Sequence, residues 1–112
     1  MSRLDFESSE RGQLAVLVLR GELDLSGTTA IEPELERLAS EPGVETIALD
    51  LRELEFMDSS GLRLVVLTDQ RLRDAGRRLT LVRGPQSVQR VFEITRTAER
   101  LDFVDAPEQV PE

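Results

Sequence analysis

Six apolar residues stand without a break at Leu14-Ala15-Val16-Leu17-Val18-Leu19. A strand with one wet face alternates polar and apolar residues, and a helix of this composition would need a longer stretch. A short unbroken run fits a strand covered on both faces. Two more apolar runs follow, at Val44–Leu51 (Val44, Ile47, Ala48, Leu49, Leu51) and at Leu79-Thr80-Leu81-Val82. Between them the period changes. Ile31, Leu35, Leu38 and Ala39 fall at i, i+4, i+7 and i+8, one face of a helix, with Glu32, Glu34, Glu36 and Arg37 opposite. Leu62, Val65, Val66 and Leu72 mark a second helical face, and Val88, Val91 and Phe92 a short third. Strands that alternate with helices imply βαβ crossovers and a largely parallel sheet.

The punctuation refines this order. Leu4 and Phe6 alternate with Arg3, Asp5 and Glu7, the pattern of a short edge strand, and Ser8 to Gln13 reads as a turn into an antiparallel partner. Ser26 or Thr29 is the expected N-cap of the first helix; Thr29 has Glu32 at capping-box spacing, and Pro33 limits how far upstream that helix begins. Pro42-Gly43 ends it. Leu54, Phe56 and Met57 follow a polar break after the second core strand, and Asp58 is a good N-cap for the next helix. Gly76 stands where that helix's C-cap is expected. Leu101–Val104 reads as a last short strand. The expected order is ββαβαβαβ: a mixed, mostly parallel sheet with helices packed against it. One domain is expected over 1–112, with its core at about 4–105 and a frayed acidic tail at 106–112. There is no internal repeat and no linker long enough to divide the chain.

Composition removes most chemistry. The 112 residues contain no cysteine and no histidine, which excludes disulfides, thiolate or imidazole metal sites and Ser-His-Asp catalysis. There is also no lysine, so neither histidine nor lysine is present to activate a serine. Fourteen arginines face 22 acidic residues, a net charge of −8, which disfavours direct binding to nucleic acid or to anionic membrane. No apolar run approaches the ~20 residues that span a bilayer, and Met1 to Asp5 shows no signal-peptide core. A cytoplasmic location is the expectation. There is no GxGxxG, no Walker lysine and no calcium-loop spacing, so no metal ligands are assigned.

One segment concentrates the remaining functional groups. Phe56-Met57-Asp58-Ser59-Ser60-Gly61-Leu62 joins a strand end to a helix start, the place where open α/β sheets collect ligands and reactive groups. Two hydroxyls sit in the first helical turn, beside free backbone N–H groups that tolerate a phosphate. The same residues also suit a cap, a first turn and a close-packed glycine, so on local pattern both readings stand. Gly21-Glu22-Leu23-Asp24 follows another core strand, which allows Asp24 and Asp58 to share one sheet edge; two turn aspartates would read the same. The glutamates at 32, 34 and 36 read as a solvated helix face, and Arg71, Arg73, Arg77 and Arg78 as complements to a helix C-terminus.

With these residues in place, the sequence resembles the STAS domain family and, more narrowly, the bacterial anti-sigma factor antagonists. The resemblance rests on Gly21-Glu22-Leu23-Asp24, on Leu49-Asp50-Leu51, and on Phe56-Met57-Asp58-Ser59-Ser60-Gly61-Leu62. Gly76, residues 79–82 and Val88-Gln89-Arg90-Val91-Phe92-Glu93-Ile94 also fit, so that it covers roughly residues 4–105. It implies a STAS fold and a regulatory binding module with no enzymatic activity and no cofactor of its own. The implied partner is an anti-sigma factor that is also a serine kinase of the histidine-kinase-like ATPase superfamily, to which ATP and Mg²⁺ belong. Unphosphorylated antagonist captures that partner and frees the sigma factor; phosphorylation of Ser59, with Ser60 as the alternative, switches it off, and a serine phosphatase resets it. The implied partner-binding residues are Glu22, Asp24, Asp58, Ser59, Ser60, Gly61, Leu62 and Arg63. Arg63 stands where many relatives have a small residue, and the family's final helix is expected to be missing or vestigial. The family also includes accessory or ligand-sensing subunits of membrane transporter systems, the alternative function.

Overall fold

A computed structural model describes residues 3–111; Met1 and Ser2 of the N-terminal stretch and Glu112 of the tail lie outside the described residues. The elements are β1 (Leu4–Arg11), β2 (Leu14–Leu23), α1 (Leu25–Ser40), β3 (Thr46–Met57), α2 (Ser59–Asp74), β4 (Arg78–Val82), α3 (Gln86–Ile94) and β5 (Phe103–Val104). Short 3₁₀ turns occupy Thr97–Arg100 and Pro107–Gln109. The five strands form one sheet in the order β1-β2-β3-β4-β5, with β1 antiparallel to β2 and the other neighbours parallel. The mixed sheet and the element order agree with the sequence reading.

Successive parallel strands added in one direction through right-handed crossovers place every crossover helix on the same face. That face holds the main core. Leu17, Leu19 and Leu23 of β2, Ile47, Leu49, Leu51 and Leu54 of β3, and Leu79 and Leu81 of β4 meet Ile31, Leu35 and Leu38 of α1, Val65 and Leu72 of α2, and Val88 and Phe92 of α3. Phe103 closes it edge-on against Phe92, ring centroids 5.1 Å apart. The opposite face carries a smaller cluster of Leu14, Ala48 and Val82, covered by Val110. The run at 14–19 is therefore fully buried on one face and only partly covered on the other, where Val16 and Val18 are half-buried.

The second core strand begins at Thr46 and the last strand at Phe103, each two residues later than the sequence reading, and four further features differ more. Ser8–Arg11 belong to β1; the turn is Gly12-Gln13 alone, with Gly12 at a φ of 62°, so the hairpin loop needs only two residues. The first helix is capped by Asp24, not by Ser26 or Thr29, and runs through Pro33. Proline there forfeits one backbone hydrogen bond, and burial of Gly27, Thr28 and Ile31 holds the preceding turns in place. The polar break after Leu51 is not a strand end. From Val18↔Asp50 to Arg20↔Glu53, and from Gly21↔Leu54 to Glu22↔Phe56, β3 advances one residue more than β2. These bulge-like shifts change the inward spacing from two to three, so Leu51, Leu54 and Met57 all face the core. The acidic tail is not frayed throughout, since Val110 is buried against the open face.

Candidate functional site: the edge where β2 and β3 end

β2 and β3 run parallel and end in register, Leu23 opposite Met57. The next residue of each chain segment is an aspartate, and each aspartate starts a helix. Asp24 has φ −103° and ψ −167°, and Asp58 has φ −107° and ψ −168°, so the two backbone turns are superimposable in type. Asp24 Oδ1 accepts from Gly27 N at 2.9 Å and from the Ser26 hydroxyl at 3.1 Å. Asp58 Oδ1 accepts from Ser60 N at 2.9 Å and Gly61 N at 3.3 Å. Each cap thus satisfies N–H groups that the helix itself leaves free. The Gly27 N–H foremost, with help from Ser26, holds the Asp24 carboxyl below the ordinary carboxylate range, so it stays charged at neutral pH.

The two junctions share the pattern Asp-x-Ser-Gly, at 24–27 and 58–61. Both glycines are required by contact. A Cβ on Gly27 would lie 2.6 Å from Glu22 O, and one on Gly61 would lie 2.5 Å from Leu23 O and 2.7 Å from Met57 Cγ. Helix starts can press this closely onto strand ends only where a side chain is absent. Gly21 serves the same purpose on the hairpin side, where its φ of 96° and its contact with the Arg3 carbonyl exclude a side chain.

The sheet edge therefore gathers Glu22, Asp24, Asp58, Ser59, Ser60, Gly61 and Leu62, with Arg63 one turn further along α2. Their surroundings differ. Ser59 is exposed at the first helical position, and Ser60 is half-buried with its N–H committed to Asp58. Gly61 is buried and shapes the turn, and Leu62 is partly buried against the core. Glu22 lies 3.4 Å from Arg3, an exposed ion pair. Arg63 is exposed and has no ion-pair partner among the described residues. No group of three or more acidic side chains that could hold a metal ion occurs among the described residues.

Sequence reasoning missed an apolar groove beside these residues. It runs between α1 and α2, has a volume of about 390 Å³, and its apolar lining is Leu25, Leu35, Ala39, Leu64 and Leu67. Ser60 and Arg63 stand at its rim with Glu32, Glu36 and Arg71. Leu25 is 69% exposed and Leu67 55%. The available signal was the repeated Asp-x-Ser-Gly, which places Leu25 at the position in α1 that Ser59 holds in α2. The charged helix faces are also more structured than the sequence suggests. Glu34 pairs with Arg37 and accepts from the Ser8 hydroxyl, Glu36 pairs with Arg71, and Arg77 donates to the carbonyls of Ala39 and Glu41 at the end of α1.

This fold and edge define a class. Residues 6–104 match the family described as "Mlab, STAS domain", and the chain belongs to the STAS domain family. Relatives by sequence and by structure include anti-sigma factor antagonists. A putative anti-sigma factor antagonist, BtrV of Bordetella bronchiseptica, is 30% identical over 82 residues, which are 73% of this chain and 70% of that protein. The anti-sigma factor antagonist SpoIIAA in its unphosphorylated form superposes with a TM-score of 0.74 at 26% identity, covering 94% of this chain and 92% of that one. The Bacillus cell fate determinant SpoIIAA in the phosphorylated form gives 0.73 at 25%, covering 93% and 95%. Osmosensory protein A of Mycobacterium tuberculosis is 30% identical over 76 residues, 68% of this chain; the chain spans about half of that protein, 47%. No helix among the described residues is long and apolar enough to cross a membrane.

Proposed function

We propose that this chain is a phosphoswitched binding module: unphosphorylated, it captures an anti-sigma factor that is also a serine kinase, and so releases a sigma factor. The kinase transfers the γ-phosphoryl group of its own ATP to Ser59 Oγ. The bond to ADP breaks, the P–Oγ bond forms, and the hydroxyl proton leaves to a base on the kinase. A phosphatase hydrolyses the ester and restores the active form. The observation that carries this reading is the exposed Ser59 directly after the Asp58 cap, on the same sheet edge as Asp24. Ser60 is the alternative acceptor, but it is half-buried and its backbone is tied to Asp58. That a relative exists in unphosphorylated and phosphorylated forms supports a switch of this type. The chain has no histidine, cysteine or lysine to activate Ser59, so that hydroxyl serves as an acceptor and not as a catalytic nucleophile.

A dianion at Ser59 sits at a helix N-terminus, which favours negative charge by roughly 0.3–1 kcal/mol. The modification therefore leaves α2 folded and acts at the interface, where it meets Asp24, Asp58 and the space the partner needs. The test is capture by the unphosphorylated protein, followed by incubation of the captured kinase with ATP and mapping by mass spectrometry. Phosphate is expected mainly on Ser59. Phosphate on Ser60 would overturn the residue assignment, and phosphate on neither would overturn the switch.

A further inference from the structure

Ser59, Arg63 and Leu67 are exposed and fall at i, i+4 and i+8, the outermost ridge of α2. Residues four apart on a helix have Cβ atoms about 5–6 Å apart. Helical side chains lean toward the N-terminus, so a long side chain at position 63 reaches back over the turn that holds residue 59. Arg63 has no ion-pair partner among the described residues, although the other three arginines of α1 and α2 do: Arg37 pairs with Glu34, Arg71 with Glu36 and Arg73 with Asp69. An unpaired guanidinium therefore stands one turn behind the proposed acceptor hydroxyl, in a chain whose net charge is −8.

We propose that Arg63 is the internal counter-ion of phosphorylated Ser59, closing over the phosphate as an i,i+4 pair. The inference rests on the reading of Ser59 as the modified residue. Its chemistry is specific. Guanidinium offers a planar fork of donors that matches phosphate oxygens, and an anion N-terminal to a cation at this spacing is the favourable order on a helix. The groups around the pair are Asp58 on the same helix, Asp24 at the start of α1, and Glu32 on the α1 wall of the groove. All three are acidic, and of the two arginines that line the groove Arg71 is already paired with Glu36, which leaves Arg63 for the new charge. Phosphorylation then changes the surface in two ways. It adds a dianion at position 59 and withdraws a cation from the groove rim, and a partner that used Arg63 loses both contacts together.

The test uses the 112-residue chain with phosphoserine incorporated biosynthetically in place of Ser59, which needs no kinase. The second pKa of the phosphate is followed by ³¹P NMR in the otherwise unchanged protein and with Arg63→Gln or Arg63→Lys. The phosphate is expected to titrate about 0.3 pH unit lower with Arg63 than with glutamine, with lysine between them. The difference should shrink in ~1 M salt, where the screening length is about 3 Å. A parallel melt of each protein should show that phosphorylation raises Tm more with Arg63 than with glutamine. Equal phosphate pKa values with arginine and glutamine would overturn the pairing. Failure of a captured kinase to modify Ser59 is a separate result: it refutes the functional reading and leaves the titration as it is.

Discussion

Gly61→Ala tests whether the site is held by the close approach of α2 to the strand ends. An added Cβ lies 2.5 Å from the Leu23 carbonyl oxygen, 2.7 Å from Met57 Cγ and 2.9 Å from Leu23 Cγ. Leu23 and Met57 are paired across the sheet, so neither backbone retreats without cost. Overpacking of this kind costs about 1–3 kcal/mol. Against it stands the helix preference for alanine over glycine, at most about 1 kcal/mol. The clash is with backbone as well as side chain, so the upper part of the range applies and the net loss is about 2 kcal/mol. For 112 residues at about 2.1 cal/mol/K each, the unfolding entropy is about 0.24 kcal/mol/K, and the melting temperature falls by about 8 °C. Thermal melts by circular dichroism read this directly, with Ser59→Ala as the control. An exposed serine predicts a change within about 2 °C. If Gly61→Ala melts within that margin, or above the unsubstituted protein, the helix start is not set by this contact.

Asp24→Ala removes a cap that accepts two hydrogen bonds and should cost about 1 kcal/mol, more than an uncommitted turn residue would, while Asp24→Asn keeps the cap and removes the charge. Both should weaken capture of the anti-sigma partner, as read by titration; full affinity in the asparagine variant would remove the charge from the binding surface. Glu34 is held down to about 2 from 4.5 by Arg37 and, next, by Ser8. The folded pKa is depressed, so the native state binds fewer protons; the stabilisation is complete above about pH 4.5 and fades as pH falls toward 2. Glu34→Gln should flatten the stability curve between pH 5 and 2 by about 1 kcal/mol, and an unaltered acid melt would show the pair to be idle. Val110→Asp should lose about 1–2 kcal/mol in a denaturant titration, since it buries a carboxylate against Leu14, Ala48 and Val82; no loss would mean that the C-terminal segment does not hold the open face.

The core strands were legible because an unbroken apolar run has few other uses. The Asp58 turn was legible because a cap, two hydroxyls and a glycine coincide in four residues. The start of α1 was not, for a physical reason. Asp24 reads as strand punctuation, Leu25 adds an apolar residue where a cap is sought, and Pro33 argues for a later start. The repeated Asp-x-Ser-Gly was the one local signal against these, and the cap bond from Gly27 N, with Gly27 pressed against Glu22 O, shows that Asp24 repeats the role of Asp58. The continuity of β3 was hidden by bulges, which break the two-residue period without ending the strand. The covering of the open face by Val110 depends on where a tail folds back, and no local pattern encodes that. The groove depends on how two helices sit side by side. Its exposed Leu25 and Leu67 look, in sequence alone, like ordinary members of an amphipathic face.

The central claim is that one phosphate on Ser59 changes binding and leaves the fold intact. The most direct measurement is calorimetric titration of the captured anti-sigma kinase with two forms of this protein, unmodified and phosphorylated at Ser59, alongside amide NMR spectra of both. The account predicts an affinity loss of roughly a hundredfold, about 3 kcal/mol, with shifts confined to residues 21–28 and 56–64. Equal affinities, or shifts spread across the whole sheet with a large fall in melting temperature, would contradict it.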